Sequence, residues 1–204
     1  MGRATRIHLV RHGRVDNPSG ILYGRLPRFG LSEAGREEAR RAARLLGEVP
    51  VAAVFSSPLL RARQTALEIL RAHPGLRLRT SRLLDEVLTP FQGRPLEEAR
   101  AAGEDFYTGA GPGFEQPGDV ARRMERFVRR VCRELPGRDV VAVSHGDPIA
   151  FLLLRLHGRD LDPRRKASLH GLGIPDGYPA TGSVTTLELR PGGPPVVRYA
   201  RPGA

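Results

Sequence analysis

The residues best equipped for chemistry follow strand-like runs. Arg11-His12-Gly13 closes the apolar stretch 6–10, and Ser144-His145-Gly146 closes the stretch 139–143. A neutral imidazole is a good nucleophile toward phosphorus, because its free nitrogen is basic yet unprotonated near neutral pH. The glycine after His12 leaves the ring room to face a ligand. Arg11 beside it offers a planar fork for two phosphate oxygens. Arg61 falls one turn into a helix that should begin near Ser57, and a helix start adds free N–H groups and a favourable dipole end. His145, protonated by a neighbouring phosphate dianion, would be a further cationic donor, and Gly146 gives the backbone close access. Such a set would neutralise charge on a transferring phosphoryl group. A leaving oxygen also needs a proton. Glu86, in an irregular stretch over 84–93, is the best-placed carboxyl, with Asp85 as the fallback. His8, inside the first strand, reads as structural; His73 and His157 read as helix-end residues.

The elements that must position these groups alternate along the chain. Residues 6–10, 51–55, 76–80 and 139–144 read as buried strands from their short β-branched runs. Helical spacing of apolar residues fills 33–46, 96–102 and 119–135. Two further helices run to Leu70 and Leu156. Ser32 is a natural N-cap for the first helix, Ser57 for the second with Pro58 at its first position. The Gly/Pro-rich stretch 103–118 reads as a mobile crossing. Residues 183–189 and 196–199 close the pattern, the last as an edge strand. This alternation predicts an α/β three-layer α/β/α sandwich with a mostly parallel central sheet. Ligands in such sheets bind beyond the carboxyl ends of strands, where Arg11, His12, Ser56, Ser57, His145 and Gly146 fall.

Composition narrows the reading. The 204 residues suit one domain over 1–204. Hydrophobic residues are 40% and charged residues 27%, an ordinary globular mixture. One cysteine, Cys132, excludes an internal disulfide and a multi-cysteine zinc site. No apolar run approaches the roughly 18 residues of a membrane span, and no secretion signal opens the sequence, so a cytoplasmic protein without membrane partners is expected. The formal net charge is +11, yet aromatic residues are only 5% and 32 of the 33 basic residues are arginines spread along the chain, often beside glutamates. Nucleic acid is therefore not the expected partner. Arginine-biased residue usage and a preference for anionic substrates both fit the excess.

Leu9-Val10-Arg11-His12-Gly13 resembles the signature of the histidine phosphatase superfamily (phosphoglycerate mutase-like, branch 1). Four more segments agree in order: Leu31-Ser32-Glu33-Ala34-Gly35, Ser56-Ser57-Pro58-Leu59-Leu60-Arg61-Ala62-Arg63-Gln64-Thr65, Val143-Ser144-His145-Gly146, and Gly182-Ser183-Val184-Thr185-Thr186. The resemblance covers nearly the whole chain. It implies the phosphoglycerate mutase-like fold and a phosphohistidine mechanism with neither metal nor cofactor. His12 would attack phosphorus, Arg11, Arg61 and His145 would hold its oxygens, and Glu86 would protonate the leaving group. It also implies Asn17 as a phosphate ligand, one position earlier than the family's asparagine. Asp147 would either support His145 or cap its helix.

The implied substrate is a small phosphorylated molecule. The span from Gly93 to His145 is short for the phosphoglycerate mutases, which leaves a thin cover built from 23–29, 103–118 and 170–178. Water could then reach the phosphohistidine, which favours hydrolysis over return of the phosphoryl group. Arg25 and Arg28 in the first loop would meet a second anionic group on the substrate. The alternatives are mutase-type phosphoryl transfer and a non-catalytic phosphate-binding module, although an intact His12, Arg11, Arg61 and His145 argues against the module. The exposed edge near residues 196–199 offers a pairing surface for a homodimer.

Overall fold

A computed structural model describes residues 3–190 and 192–203. Its sheet has the order β3-β2-β4-β1-β5-β6. The strands are β1 (Thr5–Arg11), β2 (Val51–Ser56), β3 (Leu78–Thr80), β4 (Asp139–Ser144), β5 (Val184–Leu189) and β6 (Val196–Ala200). The first four pair in parallel; β5 and β6 are antiparallel additions at one side. β4 is buried at every position, as a central strand covered on both faces must be.

Side-chain alternation separates two layers of helix. Ile7 and Leu9 of β1, Phe55 of β2 and Ala142 of β4 pack with α4 (Pro117–Glu134) and α5 (Gly146–Leu156). Val10, Val54, Val141 and Val143 face the other way, onto α1 (Glu33–Leu46) and α2 (Leu60–Leu70). The three-layer sandwich expected from the alternating elements is thus the observed one. The small α3 (Leu96–Ala101) lies outside these layers and buries none of its residues. Among the described residues no helix is long and apolar enough to cross a membrane.

Three local expectations change. The Ser32 hydroxyl does cap α1, accepting from the Gly35 N–H at 3.1 Å. Ser57 does not cap α2: the helix starts at Leu60, behind a Leu59 cap that makes no side-chain bond. The Ser57 hydroxyl instead donates to Asp85 at 2.8 Å, so a long-range partner outbid the local one. Arg61 is therefore the second residue of α2 rather than one turn in. The Gly/Pro-rich crossing is not loosely held: Tyr107 within it is buried, and its hydroxyl donates to Asp147 at 2.7 Å.

The first turn of α1 presses directly on the backbone that follows His12. A Cβ on Gly13 would lie 2.2 Å from the Gly35 carbonyl oxygen, and one on Gly35 would lie 1.9 Å from the Arg14 oxygen. These contacts are backbone on backbone, with no flexible end to give way. Helix propensity alone would make Gly35→Ala stabilising by about 1 kcal/mol. The close approach reverses the sign, with an expected loss of about 1–3 kcal/mol from overpacking. Urea unfolding of Gly35→Ala beside the exposed Ala34→Gly control checks this; a more stable Gly35→Ala would refute the contact.

Candidate active site

The register of β1 on β4 brings the two histidines together. Arg11 pairs with Ser144, so the next residues, His12 and His145, leave adjacent strands side by side. The His12 N–H donates to the Ser144 carbonyl at 3.1 Å, extending the ladder one step further. The rings meet edge to face with centroids 5.0 Å apart, and both are buried. His12 Nδ1 lies 2.8 Å from the Gly13 carbonyl oxygen. That oxygen can only accept, so Nδ1 carries the proton and Nε2 keeps its lone pair. Arg61 Nε donates to that same Nε2 at 3.2 Å, consistent with the assignment.

Arg61 enters from β2, whose end pairs with β4, through the first turn of α2. It is fully buried. Its Nη2 donates to the Gly24 carbonyl at 2.8 Å, and its guanidinium lies 4.7 Å from the Tyr23 ring centroid. Arg11 Nη1 donates to the Pro179 carbonyl at 2.7 Å, and its guanidinium lies over the Tyr178 ring. Arg11 Nε, Arg61 Nη1 and both ring nitrogens of His145 are buried with no hydrogen-bond partner among the described residues. Buried polar groups are normally paired. Here they lie around the lone pair of His12.

Glu86 is half-buried, with Oε2 3.5 Å from His145 Nδ1 and 3.8 Å from Arg61 Nη2. One ligand atom each from His12, Glu86 and His145 lies within 4.8 Å of the others, a spacing that a metal ion could use. Two guanidinium groups facing the same space make it electropositive, which suits an oxyanion better than a cation. Burial pushes the His12 and His145 rings well below the usual imidazole range, with Arg61 reinforcing the effect on both. Without an anion beside it, the environment of His145 therefore favours the neutral ring. Burial raises the Glu86 carboxyl above its usual range, against the pull of Arg61.

Several expected site residues do other work. The Asp85 carboxylate is taken up by the Ser57 hydroxyl, which donates to it at 2.8 Å. Both ends of the Asn17 amide are spent on Ile21, whose carbonyl takes its Nδ2–H at 2.9 Å and whose N–H donates to its Oδ1 at 3.3 Å. Asn17 therefore closes its own loop instead of reaching the cleft. Arg25 points backward: its Nε donates to the Glu86 carbonyl at 2.6 Å and its Nη2 to Glu115 at 2.8 Å. Arg28 is exposed. Gly146 does line the cleft, but a Cβ there would lie 2.2 Å from the Tyr178 hydroxyl, so its smallness also makes room for that ring. Asp147 neither caps α5 nor touches His145. It accepts from Tyr107, Tyr178 and Lys166, the last at 2.9 Å.

A cleft of 260 Å³ adjoins the site and shares Arg11, Glu86 and Gly146 with it, with Tyr23, Phe106 and Tyr178 also among its walls. Tyr23 and Tyr178 come from two of the segments expected to form the cover, whereas the burial of Lys166 against Asp147 carried no warning beyond its being the chain's only lysine.

The family model of the histidine phosphatase superfamily (branch 1) matches residues 7–201, and the chain belongs to that superfamily. It is 39% identical over 175 residues to the uncharacterized protein Rv0525 of Mycobacterium tuberculosis, across 81% of this chain and 86% of that one. It is 35% identical over 167 residues to a glucosyl-3-phosphoglycerate phosphatase of Mycobacterium tuberculosis, across 74% of each chain. The native structure of mycobacterial glucosyl-3-phosphoglycerate phosphatase Rv2419c matches with a TM-score of 0.73 at 31% identity, over 91% of both chains. The chain is accordingly a phosphatase, a hydrolase of phosphoric monoesters.

The proton states have a kinetic consequence. In the roles the superfamily resemblance implies, His12 as nucleophile must be neutral and Glu86 as acid must be protonated. The depressed imidazole loses function only well below its ordinary range, whereas the raised carboxyl loses it as pH climbs through a value above the ordinary carboxylate one. Activity should therefore favour the acid side, with kcat/KM falling as pH rises. The substrate's own second ionisation, near pH ~6, adds a limb of its own. Comparison with Glu86→Gln separates the two: the variant should lose the carboxyl limb, and an unchanged profile would remove Glu86 as the titrating acid.

Proposed function

We propose that the chain hydrolyses small phosphomonoesters through a covalent phosphohistidine on His12, without a metal ion. The observation that carries this is the set of buried, unpartnered donors on Arg11, Arg61 and His145 around a lone pair fixed on His12 Nε2. An arriving phosphoryl oxygen would take over the Arg61 Nε–H that now meets Nε2, turning the lone pair toward phosphorus. The N–P bond forms as the bond from phosphorus to the leaving oxygen breaks. Glu86 supplies that oxygen's proton. Water then enters, Glu86 takes one of its protons, and the new O–P bond displaces His12 as neutral imidazole.

The size of the substrate follows from the walls. Ligand pockets commonly measure ~300–1,000 Å³, and 260 Å³ leaves space for a phosphoryl group and a compact leaving group. Arg100 and Glu104 stand at the cleft wall as charged contacts for that group, in place of Arg25 and Arg28. A phosphorylated sugar acid, the kind of substrate in the name of the mycobacterial relative, is compatible with that pairing.

Hydrolysis of p-nitrophenyl phosphate should survive EDTA and fall by a factor on the order of 1,000 or more in His12→Ala. Rapid acid-free quenching should trap an alkali-stable phosphoryl group on His12. Loss of activity on chelation would overturn the metal-free mechanism. Tight phosphate binding with no turnover of any phosphomonoester would favour the non-catalytic module.

A further inference from the structure

The main chain that carries Glu86 is gripped from behind. Its carbonyl oxygen accepts from Arg25 Nε at 2.6 Å and from Arg123 Nη2 at 3.2 Å. Arg123 Nη1 also donates to the Leu83 carbonyl at 2.9 Å. Both guanidinium groups converge on one carboxylate. Glu115 Oε1 accepts from Arg123 Nε at 2.7 Å, and Oε2 accepts from Arg25 Nη2 at 2.8 Å and from the Leu88 N–H at 2.9 Å. The Glu115 N–H returns a bond to the Leu88 carbonyl at 3.0 Å. Arg123 is buried on α4, Arg25 belongs to the loop after β1, and Glu115 ends the crossing before α4.

We propose that Glu115, bridging Arg25 and Arg123, is the positioning residue that aims the Glu86 carboxyl at the leaving oxygen. The proposal rests on the reading of Glu86 as the acid. None of the three residues touches the reacting atoms. Together they hold the backbone at Leu83, Glu86 and Leu88, leaving the Glu86 side chain to face the cleft. Its Oε1 is fixed by the Val87 N–H at 2.9 Å, so its direction follows the backbone closely. Two guanidinium groups would repel each other at this spot without a carboxylate between them. Removing the Glu115 charge therefore releases both grips at once. A bidentate or bridging arginine also depends on its planar fork, which lysine does not reproduce.

The position of an acid matters most when the leaving oxygen is poor. Nitrophenolate departs with little help, whereas an alkoxide must be protonated as it leaves. The test uses the full chain with Glu115→Gln and Arg25→Lys, the latter at the more exposed end of the bridge, so that one folded variant is available if the other is too damaged. Each is assayed on p-nitrophenyl phosphate and on glycerol phosphate, with inorganic phosphate inhibition as the measure of an intact phosphoryl site. The kcat/KM ratio, glycerol phosphate over p-nitrophenyl phosphate, reports the phosphorylation step alone and should fall tenfold or more, while KM and phosphate inhibition stay within threefold. Glu86→Gln in parallel should show the same selective loss, more strongly. An equal loss on both substrates, or none, overturns the positioning role while leaving Glu86 as the acid. A Glu86→Gln variant with no selectivity overturns the acid assignment and the positioning role with it. A KM rise confined to Arg25→Lys would make Arg25 a substrate contact and also overturn the proposal.

Discussion

Arg61 is a full positive charge with no access to solvent, and the site is organised by how that charge is accommodated. Stripping water from a guanidinium costs several kcal/mol unless its donors are used. One N–H is given to the Gly24 carbonyl, another to the His12 lone pair, and the face of the cation lies against Tyr23. The Glu86 carboxyl stands 3.8 Å away. Burial pushes the His12 and His145 rings below the usual imidazole range, and the Arg61 charge adds to that shift. Both shifts favour neutral imidazoles, the state in which a ring nitrogen keeps its lone pair. Nη1 of Arg61, with two N–H bonds, has no partner among the described residues, and the natural complement to that excess of donors is a tetrahedral oxyanion.

That arrangement needs three strand ends at one edge, and the order of the sheet supplies them. β4 lies between β1 and β2, so His145 is flanked by His12 on one side and by the β2–α2 turn on the other. The Gly13–Gly35 contact then fixes the loop leaving His12 against the first turn of α1. Packing and chemistry are coupled here through backbone atoms, which leaves little freedom for either.

The strands, the principal helices and the convergence of His12, His145 and Arg61 were legible because their signals are local. A β-branched run, a Ser cap or a glycine after a histidine is visible within a few residues. Arg25, Asn17 and Ser57 were misread because their partners are decided elsewhere. Ser57 had a helix start beside it and took Asp85 instead. Arg25 lies in a loop that covers the cleft, but its guanidinium turns back toward Glu86 and Glu115. No spacing in the chain announces a bond between residues so far apart in sequence. Asn17 illustrates the opposite error, since a motif one residue out of step was satisfied by its own loop.

Lys166 carries the only ε-amine in the sequence, and it is sealed. Its Nζ donates to the Glu104 carbonyl at 2.6 Å and to Asp147, and it lies 4.2 Å from the Phe106 ring centroid. Acylating or glycating reagents that seek lysine thus find none on the surface of the closed molecule. The same burial turns that amine into a built-in reporter: covalent labelling of it requires the packing around Asp147 and Phe106 to open.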